Sequence, residues 1–215
     1  MDDPECPHEQ LSKAMQSIDR AHRIFRTFRP IIKQMNSLIS EKSSVISVVD
    51  MGAGTGILGE VLQNQFGDRI NYIGLEKSRR MLDQFFRGSS SIHGDGSKSP
   101  FRTDSIDVVT SSFVLHHLPA ETLVPFLIET DRISRKLTFH IDLTRNRFVW
   151  ATAWLLTRLL SRNPIFHHDG PVSVARSLTH KEWTELLRQP RLSRYQLTSR
   201  HPLLEYIVND SPNRN

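Results

Sequence analysis

Cysteine is almost missing from this sequence: Cys6 is the single one in 215 residues. One thiol forms no internal disulfide and no thiolate metal cluster, so the chain suits a reducing cytoplasm. Long apolar runs are missing too. The longest candidate, Phe148 to Leu156, falls well short of the roughly 20 residues of a membrane span and has arginines on both sides. The opening stretch MDDPECPHEQ is acidic and polar, unlike a secretory leader. There is no internal repeat and no long low-complexity segment. A dense basic block is also lacking: 28 Lys and Arg against 23 Asp and Glu leave a net charge of +5, spread from Arg20 to Arg214. That balance admits a nucleic acid, a membrane surface or an acidic substrate as partner, but no nucleic-acid module accompanies it.

The length fits one domain with a real core. Residues from about Glu9 to Ile39 carry Leu11, Met15, Ile18, His22, Phe25 and Phe28 at helical spacing, and Pro30 is expected to kink or end the first piece. Val45 to Asp50 is a short β-branched run of the kind that forms a buried parallel strand. Helical ILGEVLQNQF follows. Then come strand NYIGLE, helix RRMLDQFF, a weak strand at Ser91 to His93, a strong one at Ile106 to Thr110, a helix from Pro119 to Thr130, and a strand from Lys136 to Leu143. Strands alternating with helices predict a doubly wound, Rossmann-like α/β sheet with right-handed crossovers. Beyond it lie a helix from Arg147 to Leu160, a polar loop NPIFHHDGP and a helix starting near Thr179, which with Glu182 fits a capping box. Two closing strands, Leu192 to Thr198 and Leu203 to Val208, are too close for a crossover and predict an antiparallel pair.

The sharpest signal is VVDMGAGTG, Val48 to Gly56. Gly52, Gly54 and Gly56 follow a strand and open a helix, where glycines permit a tight turn and a ligand's approach to the backbone. The spacing is not the dinucleotide G-x-G-x-x-G, and no lysine of a nucleoside-triphosphatase loop follows. Asp50 precedes the loop, and Glu76 ends the next strand, where an acid can hold ribose hydroxyls.

VVDMGAGTG, YIGLEKS, HGDG and SPFRTDSIDVVTSSFVLHHL, in that order from Val45 to Leu143, resemble the class I S-adenosylmethionine-dependent methyltransferases. The likeness is greatest to the small-molecule type that includes ubiquinone and menaquinone biosynthesis methyltransferases. Ile106 replaces the aromatic residue usual in the last motif. The resemblance implies a seven-stranded sheet, mostly parallel with an antiparallel last strand, and S-adenosylmethionine as cofactor. It implies that Gly52, Ala53, Gly54 and Gly56 pack against that cofactor. Asp50 would fix its amino-acid end or the loop, and Glu76 would take its ribose hydroxyls. Asp95, with Gly96 beside it, would face the adenine amino group, and Ser111 and Ser112 would lie under the sulfonium. Lys77 departs from the small or apolar residue usual after the acid. The N/D-P-P-Y/F motif of many amino-nitrogen methyltransferases is absent, because SSFV stands there.

Methyl transfer to oxygen needs alignment and often a base. His116 and His117 end the fourth strand on the ligand side, and His117 is the candidate base; the pair could instead cap the next helix or pack beneath the cofactor. His140 and Asp142 share one strand face, Asp142 nearer the edge. Phe166 to Ser177 reads as an ordered loop bearing His167, His168, Asp169 and Arg176, and resembles a stretch in a subset of bacterial small-molecule methyltransferases. His168 is a second catalytic candidate; Asp142, Trp154, His167, Asp169 and Arg176 are substrate candidates; spacing alone defines no metal site. The 147–160 helix, with Phe148, Trp150, Trp154, Leu155 and Leu159, reads as an outer core helix, a cap on an apolar pocket, or a membrane-surface helix. The whole chain, 1–215, is expected to form one domain, with an N-terminal helical segment 9–40 and a substrate-side insertion 147–177. A small apolar, hydroxylated or aromatic acceptor is expected between those two. An RNA or protein acceptor, a non-catalytic binding protein and a nicotinamide dehydrogenase are the alternatives.

Overall fold

A computed structural model describes residues 7–40, 45–198 and 201–210. Cys6, most of the acidic opening and Arg214 lie outside them. Seven strands form one sheet: β1 (Ile46–Met51), β2 (Ile70–Glu76), β3 (Ser90–His93), β4 (Ile106–Ser112), β5 (Ser134–Leu143), β6 (Gln196–Leu197) and β7 (Leu204–Asn209). Their order is β3-β2-β1-β4-β5-β7-β6, and β7 runs antiparallel to both of its neighbours. The remaining pairings are parallel. Strand order reverses between β1 and β4, and ligands bind at such a crevice beyond the strands' carboxyl ends.

The helices are α1 (His8–Phe25), α2 (Arg29–Ser40), α3 (Ile57–Phe66), α4 (Arg79–Leu82), α5 (Ala120–Ile133), α6 (Arg147–Leu160), α7 (Pro164–Arg176) and α8 (His180–Leu187). Neighbouring residues on β1 point to opposite faces and so serve two cores. Val48 packs with Phe28, Ile31, Leu58, Leu62 and Tyr72 under α2 and α3. Val49 packs with Phe126, Leu127, Trp183 and Leu192 under α5 and α8. Both faces being covered, the central strands need apolar residues at nearly every position.

Four expectations shift. The first helix ends at Phe25, not at Pro30. Arg26 adopts the left-handed conformation and its N–H caps the last turn, while Pro30 sits in the first turn of α2, where its missing N–H costs nothing. The helix expected over RRMLDQFF stops at Leu82, and Phe85 then fills the space above Gly56 and Gly74. The first closing strand shrinks to Gln196–Leu197. The polar loop of the 147–177 segment is helix α7, a correction with a clear cause. Asn163 caps it through its side chain and Pro164 is its first residue, a good start signal that Gly170-Pro171 masks in the sequence. Gly170 lies so close to α6 that a Cβ there would stand 2.5 Å from Thr157 Cγ2, so packing between helices holds the segment helical.

Candidate functional site

The glycine loop hangs from the end of β2. Gly52 and Ala53 both donate to the Leu75 carbonyl, at 2.7 and 3.2 Å. Gly54, at φ +57°, turns its Cα toward open space: a Cβ there would meet only Met15 Cε, at 3.8 Å. Glu76 stands beside the loop. Its Oε2 accepts the Gly54 N–H at 2.8 Å and its Oε1 accepts the Ser78 N–H at 2.7 Å. Each oxygen keeps a lone pair for another donor, such as a ribose hydroxyl.

Asp50 lies buried beneath the loop. Its Oδ2 accepts the Tyr72 hydroxyl at 2.8 Å, and its Oδ1 has no hydrogen-bond partner among the described residues. Burial, aided by the Glu76 charge, pushes its carboxyl up to about 7. At the opposite rim Asp95 accepts from Lys77 Nζ at 2.8 Å and from the Ser97 N–H at 2.9 Å. The Lys77 hydrogen bond chiefly holds that carboxyl down at about 2. Lys77, whose role the sequence left open, therefore positions Asp95. Gly96 is packed from below, where a Cβ would strike Phe126 at 2.7 Å.

Helix α1 roofs the loop. Asp19 accepts the Thr55 hydroxyl, Arg23 pairs with Glu60 at 2.6 Å, and Met15 sits over Gly54. These α1 contacts enclose a hollow of about 310 Å³ lined by Met15, Gln16, Asp19 and Thr55. Burial raises Asp19 to about 6. His22 lies against the rings of Phe28 and Phe113, and burial lowers it to about 4. Phe113 has φ +60°, a strained conformation for a bulky residue of the kind that gathers at ligand sites. The sequence showed Met15 and His22 only as members of a helix stripe; their position over the loop needs the tertiary fold.

The two serines of β4 part company. Ser111 Oγ lies 2.8 Å from His140 Nδ1, within a buried chain that continues through Thr130 to Tyr195 under α5. Burial pushes His140 down to about 3, so that ring is neutral and structural. Ser111 thus turns its hydroxyl away from the face on which Tyr72 meets Asp50. Ser112 Oγ is buried with no partner among the described residues.

Beyond β4 the chain forms a short turn, Leu115 to His117, which sends the paired histidines in different directions. His116 points inward: its Nδ1–H donates to Asp142 Oδ1 at 2.6 Å and its N–H to Oδ2 at 2.8 Å. Its Nε2 is buried with no partner among the described residues. The His117 ring lies 4.2 Å from the His116 ring, tilted by 39°, and is exposed to solvent. The turn also touches the glycine loop, because a Cβ on Gly52 would stand 2.6 Å from Val114. A cleft of about 460 Å³ opens beside it, walled by Leu115, Leu118, Leu123 and Leu186 and bearing His116, Asp142, Arg176, Glu182 and Trp183. Trp183 Nε1 is a second buried group without a partner among the described residues.

Of the insertion cluster, only Arg176 reaches that cleft. His167 Nε2 meets the Ser161 carbonyl at 2.6 Å and joins α6 to α7. His168 is exposed beside Asp169. Trp154 lies on the outer surface under the Arg158 guanidinium. The gap expected between α1 and the insertion is occupied by direct contact: Asn163 donates to the Gln10 carbonyl and Ser17 to Ser161. Among the described residues no group of three His, Cys, Asp or Glu is placed to hold a metal ion.

Residues 49–138 match the methyltransferase domain family. Demethylmenaquinone methyltransferase of Listeria welshimeri is 26% identical over 124 residues, 47% of this chain and 52% of that protein. Its Lactobacillus johnsonii counterpart is 31% identical over 122 residues, 46% and 50% of the two chains. The chain thus spans about half the length of the curated relatives it matches. Among solved structures, a candidate S-adenosyl-L-methionine-dependent methyltransferase of Methanococcus maripaludis superposes with a TM-score of 0.65 at 16% identity, covering 100% of this chain and 99% of that one. A SAM-dependent methyltransferase of Aquifex aeolicus gives 0.59 at 14%, covering 92% and 96%. The plantazolicin methyltransferase, solved with a triazolic desmethylPZN analog and SAH, gives 0.60 at 14%, covering 96% and 86%. Over residues 49–138 the chain is thus similar to the methyltransferase domain family, and it shares its fold with S-adenosylmethionine-dependent methyltransferases.

Proposed function

We propose that this chain methylates a small, largely apolar acceptor carrying a hydroxyl, and that the acceptor enters the cleft beside His116. The observation that carries the reading is the His116–Asp142 pair, with its outward nitrogen buried and unsatisfied against an apolar wall. S-adenosylmethionine, when bound, supplies a methyl group on a sulfonium leaving group. The groups suited to hold it are the Gly54 cradle, the Glu76 carboxylate and the Lys77-braced Asp95, with α1 as cover.

Asp142 accepts the Nδ1 proton of His116, which fixes the tautomer and leaves Nε2 as the acceptor. His116 takes the hydroxyl proton at Nε2 as the acceptor's oxygen forms its bond to the methyl carbon. The leucine wall excludes water, and Arg176 and Trp183 supply sparse orienting donors, the mixture a small-molecule pocket needs. The names of the demethylmenaquinone methyltransferases also favour a small-molecule acceptor.

The test uses S-adenosylmethionine labelled in the methyl group and a fractionated cell extract. Label is expected in a solvent-extractable small-molecule fraction. It should fall about a hundredfold in His116→Gln, the usual size of a general-base contribution. His117→Gln should retain it, and S-adenosylhomocysteine affinity should stay unchanged in both. Label confined to RNA or protein would overturn the acceptor class; full activity in His116→Gln would overturn the base.

A further inference from the structure

Helix α6 shows solvent an apolar face that the methyltransferase reading does not use. Val149 and Thr157 are its buried residues, and Phe148, Trp150, Trp154, Leu155 and Leu159 are all exposed, Phe148 at 68% and Leu159 at 71%. At about 3.6 residues per turn, Phe148, Leu155 and Leu159 fall within about 40° of one another and form one stripe. Arg147, Trp150, Trp154 and Arg158 form a second band along its flank. The Arg158 guanidinium lies 4.1 Å from the centre of the Trp154 ring, so one long basic side chain is held flat against the helix.

Charge selects the occupant. From Leu143 to His168 the sequence holds Arg145, Arg147, Arg158 and Arg162 and no acidic residue. Arg145 is engaged by Glu182, whereas no carboxylate among the described residues pairs with Arg147, Arg158 or Arg162. An apolar stripe flanked by tryptophans and arginines, with no negative charge, matches a bilayer with anionic headgroups. Indole rings favour the level between headgroup and acyl chain, and arginine pairs with phosphate. A second protein chain would need carboxylates to match these arginines, and a self-complementary face would set arginine against arginine.

We propose that the outer face of α6 docks this protein on an anionic lipid surface. The helix lies in the plane of the interface, Phe148, Leu155 and Leu159 toward the acyl chains. No helix of the described residues is long and apolar enough to cross a membrane, so the contact is peripheral. It would present the protein where acceptors that partition into lipid are concentrated.

The experiment mixes the full chain with phosphatidylcholine vesicles, with and without phosphatidylglycerol, and follows co-sedimentation and tryptophan emission. Trp183 is buried, so it gives a constant background to Trp150 and Trp154. The expected result is binding and a blue shift with the anionic vesicles, weakened by salt. Phe148→Glu with Leu159→Glu should cut the bound fraction at least tenfold, because two apolar anchors are lost and repelling charge is added. Arg147→Gln with Arg158→Gln should cause a smaller loss and a weaker salt dependence. Three outcomes overturn the proposal: no binding to either vesicle, binding indifferent to these substitutions, or a concentration-dependent dimer that the Phe148 and Leu159 pair dissolves. The emission and salt readings need only the unmodified chain, so they decide even if a variant misfolds. Methyl transfer plays no part in them, so their failure leaves the enzymatic reading standing.

Discussion

Gly54→Ala separates what the glycine loop does for the fold from what it does for a ligand. Gly54 has φ +57°, a conformation that costs an L residue about 1–2 kcal/mol. No packing penalty is added, since the new methyl meets only Met15 Cε at 3.8 Å. A domain of this length loses about 2–4 °C of Tm per kcal/mol, so the drop should be about 2–8 °C. Gly52→Ala should cost more, because its φ is +78° and its methyl must displace Val114 from 2.6 Å. The ligand effect runs the other way. At a hundred times its dissociation constant, S-adenosylhomocysteine should stabilise the unmodified protein by about 2.7 kcal/mol, or about 5–10 °C. On the proposed cofactor site, the methyl of Gly54→Ala enters the space the ligand would fill, and that shift should largely vanish. Thermal melts with and without ligand, with calorimetry for affinity, read both effects. An unchanged affinity in Gly54→Ala would refute the cradle.

Two further predictions concern the acids around the loop. Glu76→Gln should weaken S-adenosylhomocysteine binding about tenfold or more by calorimetry, since an amide nitrogen replaces one of the oxygens that accept from Gly54 and Ser78. Unchanged affinity would remove Glu76 from the site. Asp50 has its carboxyl raised from 3.8 to about 7 by burial, so the folded state favours its protonated form. Its contribution to stability is therefore complete below about 4 and is lost as pH rises through about 7. In Asp50→Asn, Tm should vary less between pH 4 and 7 than in the parent; parallel profiles would contradict the assignment.

Much of this protein is legible in its sequence because the signals are local. Val45 to Asp50 reads as a buried strand because Val45, Ile46, Val48 and Val49 are β-branched, a pattern that suits a strand covered on both faces, and the strand runs from Ile46 to Met51. Three glycines at alternate positions after it read as a tight turn, and in the structure all three have positive φ. The Thr179–Glu182 capping box was visible for the same reason, both partners lying within one turn.

Tertiary structure alone decided the matters that depend on which way a side chain turns or what packs against it. Which of His116 and His117 points inward is settled by the turn after β4 and by Asp142, which the sheet brings alongside. Residues Phe166 to Arg176 are helical although Gly170 and Pro171 suggest a loop, because α6 packs where the glycine leaves room. Ser111 and Ser112 look alike in the sequence, yet strand alternation sends one hydroxyl to His140 and the other to the opposite face. Local propensity and spacing determined the elements; the orientation of the chemical groups came from contacts between residues 20 or more positions apart, such as Ser111 with His140 and His116 with Asp142.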